Sequence, residues 1–181
     1  MNDAPTFRSL EHCLAVAYLM EIATAYPKSG LGKILDQLLR TKYGIETDTK
    51  EGPNWDGLSP LDIRGTCVMI RSACKRLLFP IEYDMVLAKF SNVPEDRDKA
   101  IQRLALYAQE NLHIQALPVI ADMVGRAWSR EGKSRDKIAR SHGVGHGSVD
   151  RDCERIKNLL GAAWREVSEE LGKVFIPEKL Y

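Results

Sequence analysis

The residues best suited to chemistry lie between Gly132 and Ile156, where cations, hydroxyls and histidines alternate with four glycines and a sparse apolar set. Ser134 is placed to N-cap a short helix in which Ile138 and Ala139 face inward, and Ala139 is small where two helices would cross closely. Gly143, four residues later, stands where a turn between helices needs a positive φ, and Val144 follows as a plug for the angle between them. A second helix is expected from His146 or Gly147, with Val149, Cys153, Ile156 and Leu160 spaced 4, 3 and 4 on its inner side. Its outer side presents Gly145, His146, Ser148, Arg151 and Arg155. That is the layout of a helix whose first turn enters the major groove of double-stranded DNA while the preceding helix crosses the backbone. The expected contacts are His146, Ser148, Arg151 and Arg155 toward base edges, with Lys133, Arg135 and Lys137 on phosphates.

Two short helices about a glycine turn also occur in proteins that never touch DNA. Three features favour the DNA reading: small residues at the crossing and the turn, exposed positions that are mostly donors, and the local charge. Residues 126–165 hold ten Lys or Arg against five acids, so in a chain of net charge +1 the other 141 residues carry −4. A polyanion would therefore bind at the basic C-terminal third. Asp150 and Asp152 oppose this, since carboxylates near phosphates are repelled, although an acid can accept from cytosine N4 or orient an arginine. Gly145 and Gly147 each weaken the helix by about 1 kcal/mol, yet would let the backbone approach DNA closely.

The elements that must position this stretch read as helices throughout, and no alternating strand of useful length is found. The fold class expected is all-α, a multi-helix domain with a C-terminal helix-turn-helix at about 134–158, divided into an N-terminal helical region with a loop (1–57) and a helical core (58–181). A first helix is expected over about 6–26, burying Leu10, Leu14, Ala17, Tyr18 and Ile22, and a second over about 31–43, before a polar, Gly-rich stretch from 45 to 58 that contains Trp55. Ser59, Pro60 and Asp62 signal the next start, with Ile63, Cys67, Ile70, Cys74 and Leu77 as a buried seam. Pro80, Pro94 and Pro118 open three further helices, reaching about Phe90, Asn111 and Trp128. Trp128 and Trp164 are expected to pack around the C-terminal motif, and the apolar tail from Val174 to fold back on the domain.

Other chemistries find less support. Cys13, Cys67, Cys74 and Cys153 contain no Cys-x-x-Cys pair and fall mostly on apolar stripes, so they read as core thiols, with no metal and no cofactor expected. Asp96 with Asp98 and Glu169 with Glu170 read as solvated helix surface, and neither a Gly-rich phosphate loop nor a His-x-Glu signature appears, so an enzyme is not expected. A recombinase would need a nucleophilic serine beside clustered arginines on a sheet. The longest uninterrupted apolar run, Leu14 to Met20, is too short for a membrane span, and the first residues lack a signal-peptide pattern, so the expected compartment is the cytoplasm.

Two stretches carry a family resemblance. Arg135-Asp-Lys-Ile-Ala-Arg-Ser-His-Gly-Val144 with Ser148-Val-Asp-Arg151 resembles the helix-turn-helix of sigma-factor region 4, and Leu78-Phe-Pro-Ile-Glu-Tyr-Asp-Met-Val-Leu-Ala-Lys-Phe90 is similar to the helix that opens that region. Some forty residues separate the two, too many for an ordinary sigma factor. Together with Ser59-Pro-Leu-Asp-Ile-Arg-Gly-Thr-Cys-Val-Met-Ile-Arg71 they resemble phage late-gene antitermination proteins of the Q type and their bacterial relatives in lysis programmes, over roughly 58–160. The resemblance implies a protein that binds DNA near a promoter, joins paused RNA polymerase beside the sigma factor and travels with it past terminators. Arg64, Arg71, Lys75 and Arg76 are placed either to approach nascent RNA or to form a solvated helix face. Some members of that family carry a zinc-binding insertion, which this sequence lacks. The alternative is a conventional activator or repressor using the same motif at an operator.

Overall fold

The computed structural model describes residues 6–22, 59–114, 117–129, 132–178 and 180. The helix expected over 31–43, the stretch 45–58 with Trp55 and the boundary between 57 and 58 lie outside them. Every regular element among the described residues is an α-helix, so the chain is all-α. The helices are α1 (Leu10–Ile22), α2 (Pro60–Leu77), α3 (Pro80–Phe90), α4 (Pro94–Leu112), α5 (Leu117–Ala127), α6 (Arg135–His142) and α7 (His146–Phe175). None of them is long and apolar enough to cross a membrane. They divide between two compact units, one formed by Met1–Leu77 with Ser168–Tyr181 and the other by Leu78–Val167.

In the first unit α1 packs on α2. The helix starts one turn later than the expected residue 6, because the Ser9 hydroxyl accepts from the His12 N–H at 3.2 Å and Leu10 becomes the first helical residue. A one-sided stripe is also not what forms: every residue from His12 to Met20 is buried, as Ala15, Val16 and Leu19 fill the side opposite Leu14 and Tyr18. Helix α2 starts as its sequence signals. Ser59 donates its N–H to Asp62 Oδ2 at 3.0 Å while the Asp62 N–H donates back to the Ser59 hydroxyl at 3.2 Å, a reciprocal cap. Ile63, Cys67, Ile70 and Cys74 are buried, whereas Leu77, expected in the same seam, closes the helix and is 37% exposed. Arg71 reaches back to the Ala17 carbonyl at 2.5 Å. Cys13, Cys67 and Cys74 are thiols of this core; burial pushes Cys67 up to about 11 and Cys74 up to about 12, and raises Cys13 as well. Among the described residues no three His, Cys, Asp or Glu side chains gather as a metal ion would need. The apolar tail does fold back, the Phe7 N–H donating to the Leu180 carbonyl at 2.7 Å.

In the second unit α4 packs against both α3 and α5. Buried Asp84 receives a two-pronged bond from Arg103, Nε at 2.7 Å and Nη2 at 2.5 Å, which fastens α3 to α4. Helix α4 ends on His113 in the left-handed region (φ 53). Trp128 donates its indole N–H to the Met85 carbonyl at 2.9 Å and meets Trp164 edge to face at 5.6 Å. The Lys89 ammonium lies 4.7 Å from the Trp164 ring centre and 5.0 Å from that of Trp128, favourable for a cation over π faces. Helix α6 is tied to α5 through Asp122, whose Oδ2 accepts from Lys133 Nζ and lies against His142 Nε2, both at 2.7 Å. Partial burial pushes the Asp122 carboxyl up, but the bonds and charges of His142 and Lys133 outweigh it and hold the group below the ordinary carboxylate range.

A carboxyl depressed in the folded state stabilises the fold above its unfolded pKa and loses that contribution as pH falls through the folded value. Replacing Asp122 by Asn is therefore expected to cost about 1 to 2 kcal/mol at neutral pH and to flatten the loss of stability in acid, measured by urea melts from pH 7 to 3. Gly132 supplies a second test. A Cβ there would strike the N and Cα of Arg126 and the carbonyl carbon of Gly125 in the last turn of α5, whereas a Cβ at Gly147 meets nothing within 4 Å. Gly132→Ala should cost about 1 to 3 kcal/mol, while Gly147→Ala should be neutral or gain up to about 1 kcal/mol in the same melts.

Candidate nucleic-acid interface

The motif is built within the second unit from local signals. Ser134 is extended (φ −65, ψ 155) and its hydroxyl accepts from the Lys137 N–H at 3.3 Å, so α6 begins where an N-cap serine places it. Gly143 ends α6 at φ 65 and ψ 27, and the next N–H, that of Val144, donates to the Ala139 carbonyl at 3.1 Å. The backbone of Gly145 then opens α7, its carbonyl accepting from the N–H groups of Ser148 at 3.0 Å and Val149 at 3.1 Å. Ile138 and Ala139 from α6 and Val149, Ile156 and Leu160 from α7 are buried, while Cys153 is only half-buried, its thiol pushed up chiefly by that burial. Helix α7 runs on to Phe175, far past the motif, and keeps its inner side with Val167, Leu171 and Phe175.

The polar side chains are arranged differently from a bare row of cations. Arg135 Nη1 lies 2.7 Å from Asp150 Oδ1, joining α6 to α7, and His146 Nδ1 lies 3.0 Å from Asp136 Oδ1 and does the same in the opposite charge sense. Lys133 is held by Asp122. Ser148 lies on the inner edge of its turn, 3.5 Å from Asp152. Arg155 is occupied at both ends of its guanidinium, Nη1 at 3.2 Å from Asp152 and Nη2 donating to the Leu112 carbonyl at 2.9 Å, where it caps the end of α4. Two of the seven expected contact residues remain exposed without a carboxylate partner among the described residues. Arg151 spends only its Nε, on the Gly147 carbonyl at 3.2 Å, and Lys137 extends outward.

Aspartates are what sequence reasoning underused. Asp122, Asp136, Asp150 and Asp152 each hold one of the side chains expected at DNA, and Asp122 is contributed by a different helix with no local pattern to announce it. Arg140 is a cation that was counted but given no role. It is exposed one turn from Lys137, with Ser141 beside it, so the outer face of α6 offers two cations and a hydroxyl. Next to the Arg135–Asp150 pair a recess of about 230 Å³ gathers Arg126, Arg135 and Lys157 with Asp150 and Glu154. The arrangement can take a polyanion along Lys137, Arg140 and Arg151, and can accept phosphates elsewhere only by exchange with its own carboxylates.

Comparison of the chain with protein-family models and with curated proteins found no match.

Proposed function

We propose that this chain is a sequence-specific DNA-binding regulator of transcription, with α6 and α7 acting as a helix-turn-helix. The observation that carries the reading is Gly143 in the left-handed region between a serine-capped helix and a helix opened by Gly145, with Arg151 and Lys137 exposed beside that turn. The first turn of α7 enters the major groove, Arg151 reads a base edge, and Lys137 with Arg140 meets phosphates. Arg135, Lys133 and His146 orient the two helices through their aspartates and add to the field felt by DNA. Arg155 positions α7 on the end of α4. The absence of side-chain atoms at Gly145 and Gly147 leaves room for the sugar-phosphate backbone.

The sequence resemblance to Q-type antitermination proteins refines this reading. The DNA contact is then a loading step near a promoter, in the cytoplasm, from which the protein joins RNA polymerase beside the sigma factor and promotes read-through of terminators. The competing reading keeps the same motif at an operator and acts on initiation alone.

Arg151→Ala should cost about 1 to 3 kcal/mol of binding and relax sequence preference, whereas Lys137→Ala should weaken all duplexes alike and reduce the salt slope by about 1. Arg155→Ala should lower the melting temperature while leaving sequence preference intact. Equal affinity of wild type and Arg151→Ala for every duplex, in quantitative footprinting, would remove DNA reading from this motif. Transcription in vitro on a template with the selected element, a promoter-proximal pause and a downstream terminator separates the two mechanisms. Element-dependent read-through is the expected result; a changed initiation frequency with unchanged termination would make the protein a conventional activator or repressor.

A further inference from the structure

We propose that the recess between the end of α5 and one flank of α7, in the second unit, seats a single phosphate of the DNA backbone. The assignment rests on the DNA reading and deepens it, because it names phosphate contacts outside the seven first expected. About 230 Å³ of space is bordered there by one cation from each of three helices, Arg126 from α5, Arg135 from α6 and Lys157 from α7. Arg126 and Lys157 hold no carboxylate that a phosphate would have to displace. Neither has one within ion-pair distance among the described residues, and Arg126 makes one long bond, from Nη1 to the Lys133 carbonyl at 3.4 Å. Arg135 commits Nη1 to Asp150 at 2.7 Å. Cys153 also borders the recess. Burial is the main influence raising its thiol, and the charge of Arg126 leads the opposing ones, with Arg135 acting in the same sense. Two guanidinium groups thus direct their field into one space.

The charges of the recess select its occupant. Apart from Ala127 and Cys153 its described borders are charged side chains, which offer an apolar ligand little. Three cations against Asp150 and Glu154 leave one positive charge in excess, which a phosphodiester neutralises and a doubly charged free phosphate overshoots. Guanidinium forks match two phosphate oxygens at once, and a lysine adds a point charge. Location points the same way. Asp150, Glu154 and Lys157 lie within about a third of a turn of Arg151 around the axis of α7, so the recess adjoins the face expected at a base edge. Arg135 opens α6, the helix that crosses the backbone in such a motif. A phosphate seated here exchanges for Asp150 on Arg135 and gains Arg126 and Lys157 without exchange. Glu154, exposed and without an ion pair among the described residues, opposes it.

Ethylation interference with the full chain on its selected duplex finds each phosphate whose neutralisation weakens binding. Arg126→Gln and Lys157→Gln should each weaken every duplex alike, and the ratio of wild-type to variant affinity should fall about three-fold between about 50 and 200 mM salt. In both variants one and the same phosphate should become insensitive to ethylation while the others keep their effect. Glu154→Gln should tighten all duplexes about three-fold at low salt, an opposite sign that a folding defect does not produce. Lys157→Gln, at an exposed position, should melt like the wild type by circular dichroism. An unchanged interference pattern in both variants, with sequence preference still relaxed by Arg151→Ala, would overturn the recess and leave the DNA reading standing. No binding to any duplex would overturn both. A melting temperature raised by inorganic phosphate in wild type but not in Lys157→Gln, with interference patterns unchanged, would make this a free-phosphate site and equally overturn the assignment.

Discussion

One left-handed residue directs the longest element of the chain. Gly143, at φ 65, turns the backbone through a conformation that any L side chain adopts at a cost, and the direction of α7 away from α6 is set there. The small Ala139 lets the helices cross, and the buried Ile138, Val149 and Ile156 hold the angle. What lies downstream inherits that direction: the Arg135–Asp150 and His146–Asp136 pairs form because the turn brings α6 against the start of α7, and Arg155 meets the end of α4 because α7 leaves the turn toward it.

Charge pairing explains how ten Lys or Arg can crowd residues 126–165 of a nearly neutral chain. Each of the four aspartates around the motif lowers the cost of crowding donors on α6 and the start of α7, and on the proposed reading each would also lower attraction for DNA of any sequence. A phosphate that displaces a carboxylate replaces one charge-assisted bond by another, so the net gain per contact is small. On the proposed DNA reading, non-specific binding would thereby be suppressed more than binding that also uses Arg151 on a base edge. On the same reading the outer face of α6, where Lys137 and Arg140 are exposed, would be the less encumbered source of long-range attraction.

How much of this was legible in the sequence depends on the range of the interaction. The Ser59–Asp62 cap, the Ser134 cap, the glycine at 143 and the inner side of α7 at Val149, Ile156 and Leu160 are signalled within a few residues, and they form as read. In α1 the expected Leu10, Leu14, Ala17 and Tyr18 are buried, but so are Ala15, Val16 and Leu19, because burial on every side leaves no stripe for the sequence to show. Leu77 continued a pattern that the helix end cuts off. The anchoring of Lys133 and His142 by Asp122, and of Arg155 by a carbonyl 43 residues away, depends on packing between elements, which no window of sequence reports.

The bond between Phe7 and Leu180 has a consequence for the order of events during synthesis. The second unit is a continuous run from Leu78 to Val167, and all its partners have left the ribosome once that run is complete. The first unit draws on residues from both sides of it, so α1 and α2 emerge early and must wait for Phe175 and the returning tail. Until then, among the described residues, α2 is what covers the apolar surface of α1. Of the two units, the one that begins first along this sequence is therefore the one completed last.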